Sequence, residues 1–214
     1  MDALGSVLRQ GLADLRLDIN ARQFQQLLDY LELLQKWNRV YNLTAVRSPH
    51  EMLTHHVLDS LAAVPPLAQY AQQYGVKAVL DVGSGGGLPG VVFAICLPEL
   101  AVTCVDAVGK KAAFIQQVAA GLGLHNLKGV HARVEQLQQQ FDVISSRAFA
   151  SLKDFTDWSR HVLADKGVWL AMKGKYPQEE LQELPPSVDV FHVEQLHVPG
   201  LSAERCLIWL RSVQ

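Results

Sequence analysis

The residues best suited to ligand chemistry lie in one segment, Asp81 to Gly90, which reads Asp-Val-Gly-Ser-Gly-Gly-Gly-Leu-Pro-Gly. Glycine permits backbone conformations with positive φ and lets a ligand approach the main chain closely. An apolar strand is predicted before this segment and a helix after it, and the start of a helix offers unpaired N–H groups and a partial positive charge. The segment therefore predicts a site for a phosphate or a carboxylate.

A carboxylate follows at a suitable distance along the chain. The next predicted strand, Ala101–Val105, is followed directly by Asp106. An acidic side chain at the end of the second strand of such a unit can accept hydrogen bonds from both hydroxyls of a ribose. We therefore expect a cofactor that contains a nucleoside, bound at the carboxyl edge of a parallel sheet.

Two cofactor classes fit this arrangement. A dinucleotide fingerprint, G-x-G-x-x-G, is met by Gly85, Gly87 and Gly90. It is out of register because Gly83 is the first glycine after the strand, and Pro89 removes an N–H that a pyrophosphate would need. The alternative pattern is D-x-G-x-G-x-G, which is typical of S-adenosylmethionine enzymes and is met by Asp81, Gly83, Gly85 and Gly87.

The spacing of hydrophobic residues along the chain predicts the helices and strands that position these residues. Residues 1–64 predict a helical N-terminal extension packed on the core, and residues 65–214 predict an α/β domain, with Pro65-Pro66 at the boundary. Short apolar strands alternate with helices in the second part, which favours a Rossmann-like, doubly wound and mostly parallel sheet. The predicted strands are Ala78–Val82, Ala101–Val105, Leu127–Ala132, Phe141–Ser145, Val168–Met172, Val188–Leu196 and Cys206–Leu210, and the predicted helices of this part are Pro89–Leu97, Lys110–Ala120 and Ser151–Leu163.

Composition excludes several classes of protein. The chain has 214 residues, 49% of them hydrophobic, and a formal net charge of -2, so neither wholesale disorder nor binding of nucleic acid by bulk charge is expected. No apolar run reaches the ~18 residues of a membrane span, and the N-terminus lacks an apolar signal core. Three distant cysteines, and a His55-His56 pair with no third ligand nearby, predict neither a disulfide framework nor a metal site.

Motifs spread along nearly the whole chain resemble a known family, the bacterial small-subunit ribosomal RNA methyltransferase G, also called glucose-inhibited division protein B. The residues that carry the resemblance are Trp37-Asn38, Asn42-Leu43-Thr44, His56 with Asp59-Ser60-Leu61, the Asp81–Gly90 segment, Asp106 with Gly109-Lys110-Lys111, Arg133-Val134-Glu135, Ser146-Arg147-Ala148-Phe149-Ala150, and Lys173-Gly174.

The resemblance implies a class I S-adenosylmethionine-dependent methyltransferase that is cytoplasmic, and we expect a monomer. Its substrate would be N7 of one guanine in 16S ribosomal RNA (guanine 527 in the usual numbering), on naked RNA or on the small ribosomal subunit. It implies that Gly83 and Leu88 line the cofactor pocket, that Val134 and Glu135 hold the adenine end, and that Arg147 closes the site. The cofactor residues we expect are Gly83, Ser84, Gly85, Leu88, Asp106, Val134, Glu135 and Arg147.

The chemistry expected of guanine N7 agrees with the residues at hand. N7 carries a lone pair and no proton, so no general base is required, and positioning can supply ~7–11 kcal/mol of the barrier reduction. A rim of basic residues on the cofactor side is predicted to contact RNA phosphates despite the acidic total. The members of that rim are Lys110, Lys111, Arg133, Lys173 and Lys175.

Three other functions stay open at this point. One is a nicotinamide-dependent oxidoreductase that uses the same glycine-rich turn. Another is a non-enzymatic RNA-binding module for ribosome assembly, and the third is a methyltransferase for a small molecule. The roles of Asp59 and Ser60 are also open, since these side chains could face the pocket or bridge the helical extension.

Overall fold

The computed structural model describes residues 2–213, and its centre is a seven-stranded sheet in the order β3-β2-β1-β4-β5-β7-β6. Strands β1 to β5 are parallel, while β7 runs antiparallel to both of its neighbours, β5 and β6. The expected mostly parallel α/β fold is confirmed. The strands are β1 (Ala78–Val82), β2 (Ala101–Asp106), β3 (Leu127–His131), β4 (Phe141–Arg147), β5 (Leu163–Lys173), β6 (Val188–Gln195) and β7 (Cys206–Ser212).

Helices cover the sheet and build the N-terminal part of the chain. Within residues 2–213, every helix is too short or too polar to cross a membrane. The helices are α1 (Asp2–Asp14), α2 (Ala21–Tyr41), α3 (Pro49–Met52), α4 (Asp59–Leu61), α5 (Val64–Tyr74), α6 (Gly90–Cys96), α7 (Gly109–Leu122), α8 (Leu152–Ser159) and α9 (Gln178–Gln182). A π-helical stretch, Leu53–Leu58, joins α3 to α4, and single 3₁₀ turns lie at Val134–Gln136 and Arg160–Val162.

Two predicted helix ends were wrong. The helix predicted over Ser151–Leu163 ends at Ser159, and Leu163 already begins β5, which is therefore longer than the predicted Val168–Met172. Buried apolar residues at a helix end and at a strand start look alike in sequence, so periodicity alone cannot separate them. The helix predicted over Lys110–Ala120 continues to Leu122, because Gly123 is the glycine with positive φ (62°) that caps it.

The Pro65-Pro66 pair begins a helix. Helix α4 ends at Leu61, and α5 starts at Val64 with the prolines in its first turn, where they have no hydrogen bond to lose. The helices of the extension share one hydrophobic core with the sheet: Leu27 and Leu34 of α2 belong to the same buried cluster as Val79 of β1. The division of the chain at residue 64 stays a prediction.

Helix α2 packs directly on the glycine-rich turn. The hydroxyl of Tyr30, which is fully buried, donates to the carbonyl oxygen of Gly86 at 2.6 Å. One turn further along α2, Leu34 lies so close to Gly86 that a Cβ there would stand 3.0 Å from its Cδ1. Trp37 packs on Phe114 of α7 with ring centroids 5.4 Å apart, as a packing residue. The extension therefore supports the turn from the side opposite to the sheet.

We expect Tyr30→Phe to lower the free energy of unfolding by about 1–3 kcal/mol, because it leaves the buried carbonyl of Gly86 without a partner. Urea unfolding measures this change. Tyr74→Phe is the matched control: Tyr74 is 62% exposed, and the loss of its hydroxyl should cost close to nothing. Equal costs for the two variants would contradict a supporting role for Tyr30.

Candidate functional site

The glycine-rich turn after β1 contains three residues in the left-handed region, Gly83 (φ 64°), Gly85 (φ 58°) and Gly87 (φ 86°). A Cβ at Gly83 would collide with the ring of Phe149, so there is no room for a side chain. At Gly85 the nearest atom to such a Cβ is the carbonyl oxygen of Gly83 at 3.9 Å, so the space in front of Gly85 is open. The turn thus exposes its backbone at Gly85 and packs tightly at Gly83.

Two buried carboxylates hold this turn in place. Asp106, at the end of β2, accepts from the N–H of Gly85 at 3.0 Å and from that of Val108 at 2.8 Å. Asp81, the penultimate residue of β1, accepts from the N–H of Gly90 at 2.9 Å and from the Ser145 hydroxyl at 3.3 Å. The turn is therefore anchored at its middle and at its end before any ligand arrives.

Asp81 has a structural role here. Burial raises the pKa of Asp81 to about 7, against the opposing effect of its hydrogen bond from Gly90. Our expectation of free donors at the start of α6 was wrong for its first two residues, since the N–H of Gly90 donates to Asp81 and that of Val91 to Gly87. The free donor is instead the N–H of Gly86, which has no hydrogen-bond partner among residues 2–213.

The first of two cavities beside the turn has a volume of about 450 Å³ and is suited to a nucleoside. Asp106 lies at one side of it, with apolar surface from Val134 and the ring of Phe149, and the carboxylate of Glu135 can accept from an exocyclic amine. Asp106 already accepts two backbone N–H bonds, but an ionised carboxylate has about four acceptor sites. Two acceptor sites thus remain for the hydroxyls of a ribose.

The second cavity, of about 580 Å³, lies on the other side of Gly83. Gly83 and Ala148 line both cavities, so the two adjoin at this point. The second cavity is more polar at its far end, where side chains from the N-terminal helices meet the ends of the strands. Its lining includes Thr44, His55, His56, Asp59, the turn residues Gly83 to Gly86, Leu88, Arg147, Lys173 and Arg205.

A charged network closes the far end of the second cavity. The buried carboxylate of Asp59 accepts from Nη1 of Arg147 at 2.8 Å and from Nε of Arg205 at 2.6 Å. Arg147 also donates to the carbonyl oxygen of His55 at 2.9 Å and lies 3.3 Å from Nδ1 of His56. Burial first, and the charge of Arg147 second, lower the pKa of His56 to about 4, so this imidazole is neutral near pH 7.

The described residues fit S-adenosylmethionine. Its adenosine matches the first cavity with Asp106 at the ribose, and its methionine part would pass Gly83 over the open face of Gly85 into the second cavity. There the free N–H of Gly86 is available to an amino-acid carboxylate, and the guanidinium of Arg147 lines the same cavity. Both volumes fall within the usual range of ligand pockets, about 300–1,000 Å³.

Comparison with known proteins agrees with this geometry. The profile of a family described as rRNA small subunit methyltransferase G matches residues 23–208. The chain belongs to this family. That range contains every residue that lines the two cavities, and it supports the S-adenosylmethionine pattern over the nicotinamide one.

Individual relatives cover almost the whole chain. A protein named ribosomal RNA small subunit methyltransferase G from Acidovorax sp. (strain JS42) is 66% identical over 96% of this chain and 94% of its own length. The protein of the same name from Polaromonas sp. (strain JS666 / ATCC BAA-500) is 64% identical over 95% of this chain and 92% of its own length.

Solved structures at lower identity show the same fold. TrmN from Thermus thermophilus matches with a TM-score of 0.56 at 19% identity, over 75% of this chain and 53% of its own. A structure of MtNAS in complex with S-adenosylmethionine matches with a TM-score of 0.58 at 14% identity, over 86% of this chain and 73% of its own. The fold is therefore the class I S-adenosylmethionine-dependent methyltransferase fold.

The structure brings the expected cofactor residues together along the two cavities. Gly83 stands between them, Val134, Glu135 and Asp106 line the first, and Ser84, Gly85, Leu88 and Arg147 line the second. Their roles as ligand contacts stay predictions.

The expected basic rim is less uniform. Lys110, Arg133 and Lys175 are exposed, whereas Lys111 lies 3.7 Å from the carboxylate of Asp106. Lys173 is mostly buried, and its Nζ donates to Glu180 at 2.7 Å and to the carbonyl oxygen of Ala150 at 3.0 Å. Within the described residues, no group of three acidic, histidine or cysteine side chains is placed to hold a metal ion.

Sequence reasoning missed one residue of the site, Arg205, and left another, Asp59, without a role. Arg205 immediately precedes β7, whereas ligand-binding residues of a parallel sheet follow the strands. Because β7 is antiparallel, its beginning lies at the carboxyl edge of the parallel strands, where Cys206 pairs with Lys173. The antiparallel pairing of the last two predicted strands is the signal that could have pointed to Arg205.

We expect Gly83→Ala to weaken binding of S-adenosylhomocysteine about 10-fold or more, because its Cβ would displace Phe149 from the wall of the nucleoside cavity. Isothermal titration calorimetry measures the affinity. Gly75→Ala is the control, since Gly75 has a similar φ of 71° but nothing within 4 Å of the added Cβ. It should carry only the strain of a left-handed residue, about 1–2 kcal/mol of stability, with full affinity. Loss of affinity in both variants would contradict this role of Gly83.

Proposed function

We propose that this protein transfers a methyl group from S-adenosylmethionine to N7 of a single guanine in the RNA of the small ribosomal subunit. One observation carries the proposal: the family match over residues 23–208 includes the whole of a continuous site in which a nucleoside cavity adjoins a second cavity at Gly83. The relatives with this range are named ribosomal RNA small subunit methyltransferase G. S-adenosylmethionine supplies an electrophilic methyl group when it is bound.

The second cavity suits a reaction that needs no general base. Its one carboxylate, Asp59, is shared by two arginines, and both nitrogens of His56 are within hydrogen-bond distance of neighbours, Nε2 at 2.7 Å from the hydroxyl of Thr44. Guanine N7 attacks through a lone pair and has no proton to give up. The residues of the cavity then act by holding the nitrogen, the methyl carbon and the sulfur in line.

The partner under this proposal is 16S ribosomal RNA, either free or in the small subunit, and the place of action is the cytoplasm, where that RNA is assembled. A single chain carries both cavities, so we propose that the monomer is the active unit. Arg133 lines the nucleoside cavity, and Lys110 precedes Lys111, which lines it too. Both Arg133 and Lys110 are exposed and suited to RNA phosphates.

The direct experiment is mass spectrometry of 16S ribosomal RNA from cells with and without the gene. We expect one 7-methylguanosine to disappear on deletion and to return when the wild-type gene is supplied. Supply of Arg147→Ala should fail to restore it, because the variant loses the guanidinium that borders the methyl end of the groove. Arg160→Ala, at an arginine outside both cavities, is the control and should restore the mark. An unchanged methylation pattern on deletion would refute the function.

Salt dependence tests the proposed RNA rim. We expect the affinity for small-subunit RNA to fall with salt concentration, and a Lys110→Gln/Arg133→Gln double variant to reduce the logarithmic slope by about 1 to 2. The matched control is Lys77→Gln/Lys166→Gln, whose lysines are exposed at the opposite, amino edge of the parallel strands. The same slope in all three proteins would argue that the rim does not contact phosphates.

A further inference from the structure

The far end of the second cavity holds more positive than negative charge. Asp59, 2% exposed, is the carboxylate between the guanidinium groups of Arg147 and Arg205. The imidazole of His56 beside them is neutral. The ammonium of Lys173, at the same cavity, is paired with Glu180. One guanidinium charge is therefore not balanced by a carboxylate in this network.

The two arginines differ in what remains free. Nη1 of Arg147 donates twice, to Asp59 and to the carbonyl oxygen of His55, and Nη2 faces His56. Arg205 donates from Nε to Asp59 and from Nη1 to the carbonyl oxygen of Glu204 at 2.8 Å. Its Nη2 has no hydrogen-bond partner in the described range 2–213. Arg205 lines the cavity, and its side chain is 22% exposed.

A purine base in the second cavity would need protein groups that match the hydrogen-bonding pattern of its N7 edge. On its N7 edge guanine presents two acceptors, N7 and O6, whereas adenine presents N7 and an amino donor. An arginine often contacts both guanine acceptors at once, but N7 must stay free here to accept the methyl group. The edge then offers one acceptor, O6, and Arg205 has one unbonded guanidinium nitrogen.

We propose that Arg205 selects guanine by donating a hydrogen bond from Nη2 to O6 of the target base. This inference rests on the proposed function, and it adds how the site distinguishes the two purines. An adenine in the same place would set its amino group against the guanidinium, donor against donor, and leave the Nη2 donor without an acceptor. The lysine of the same cavity, Lys173, is already bonded to Glu180 and Ala150.

Asp59 has a positioning role in this arrangement. Its bond to Nε and the bond of Nη1 to Glu204 fix the plane of the Arg205 guanidinium, so the direction of Nη2 is set before the base arrives. Asp59 lies on α4 and Arg205 immediately before β7, so residues from both the N-terminal and the C-terminal part of the chain contribute to base selection.

A chemical double-mutant cycle tests the proposal. Small subunits are reconstituted with 16S ribosomal RNA carrying either guanine or 2-aminopurine, which lacks O6, at the target position. For wild type and Arg205→Gln, kcat/KM is measured on both substrates. We expect wild type to prefer guanine over 2-aminopurine by a factor about 10 to 100 times larger than the factor shown by Arg205→Gln. Because each factor compares two substrates on one protein preparation, partial unfolding of a variant cancels.

Arg211→Gln is the matched control. Arg211 lies on β7, the strand that Arg205 precedes, pairs with Asp189 and is outside the cavity. It should show the wild-type preference factor. If Arg205→Gln lowers kcat/KM equally on both substrates, the inference is overturned, and a phosphate contact becomes the role of Arg205. If wild type does not methylate the guanine substrate at all, the proposed function fails and takes this inference with it.

Discussion

The site depends on a backbone that only glycine adopts readily, held in that shape by its neighbours. Gly83, Gly85 and Gly87 have positive φ, and such a turn would be free to change conformation without anchors. Asp106 holds the turn at Gly85, while Tyr30 of α2 holds it at Gly86. The cofactor surface is therefore preformed, and little ordering is left for the ligand to drive.

The same constraint explains why the chain needs its N-terminal helices. A doubly wound sheet alone would leave the turn exposed on the side that α2 covers. The π-helical stretch and α4 then bring His56 and Asp59 to the ends of β4 and β7, where Arg147 and Arg205 meet them. Both the N-terminal and the C-terminal part of the chain thus contribute to the second cavity, although the glycine-rich turn lies between them in sequence.

The sequence was most informative where the local backbone conformation or the chemistry of the ligand requires a particular residue type. Glycines after a strand, followed by Asp106 at the end of the next strand, are sufficient to predict the nucleoside site, because parallel strands place both at one edge. Helix ends were less predictable, since Leu163 is apolar and buried whether it closes a helix or opens a strand. The Asp59–Arg205 pair joins residues that are 146 positions apart, and no local pattern encodes such a contact.

The central claim is that the groove on either side of Gly83 binds an adenosyl amino acid, and that a dinucleotide does not fit it. Calorimetric titration of the wild-type protein with S-adenosylhomocysteine and, separately, with NAD tests this claim most directly. We expect micromolar affinity for S-adenosylhomocysteine and no measurable heat with NAD. Binding of NAD without binding of S-adenosylhomocysteine would contradict it.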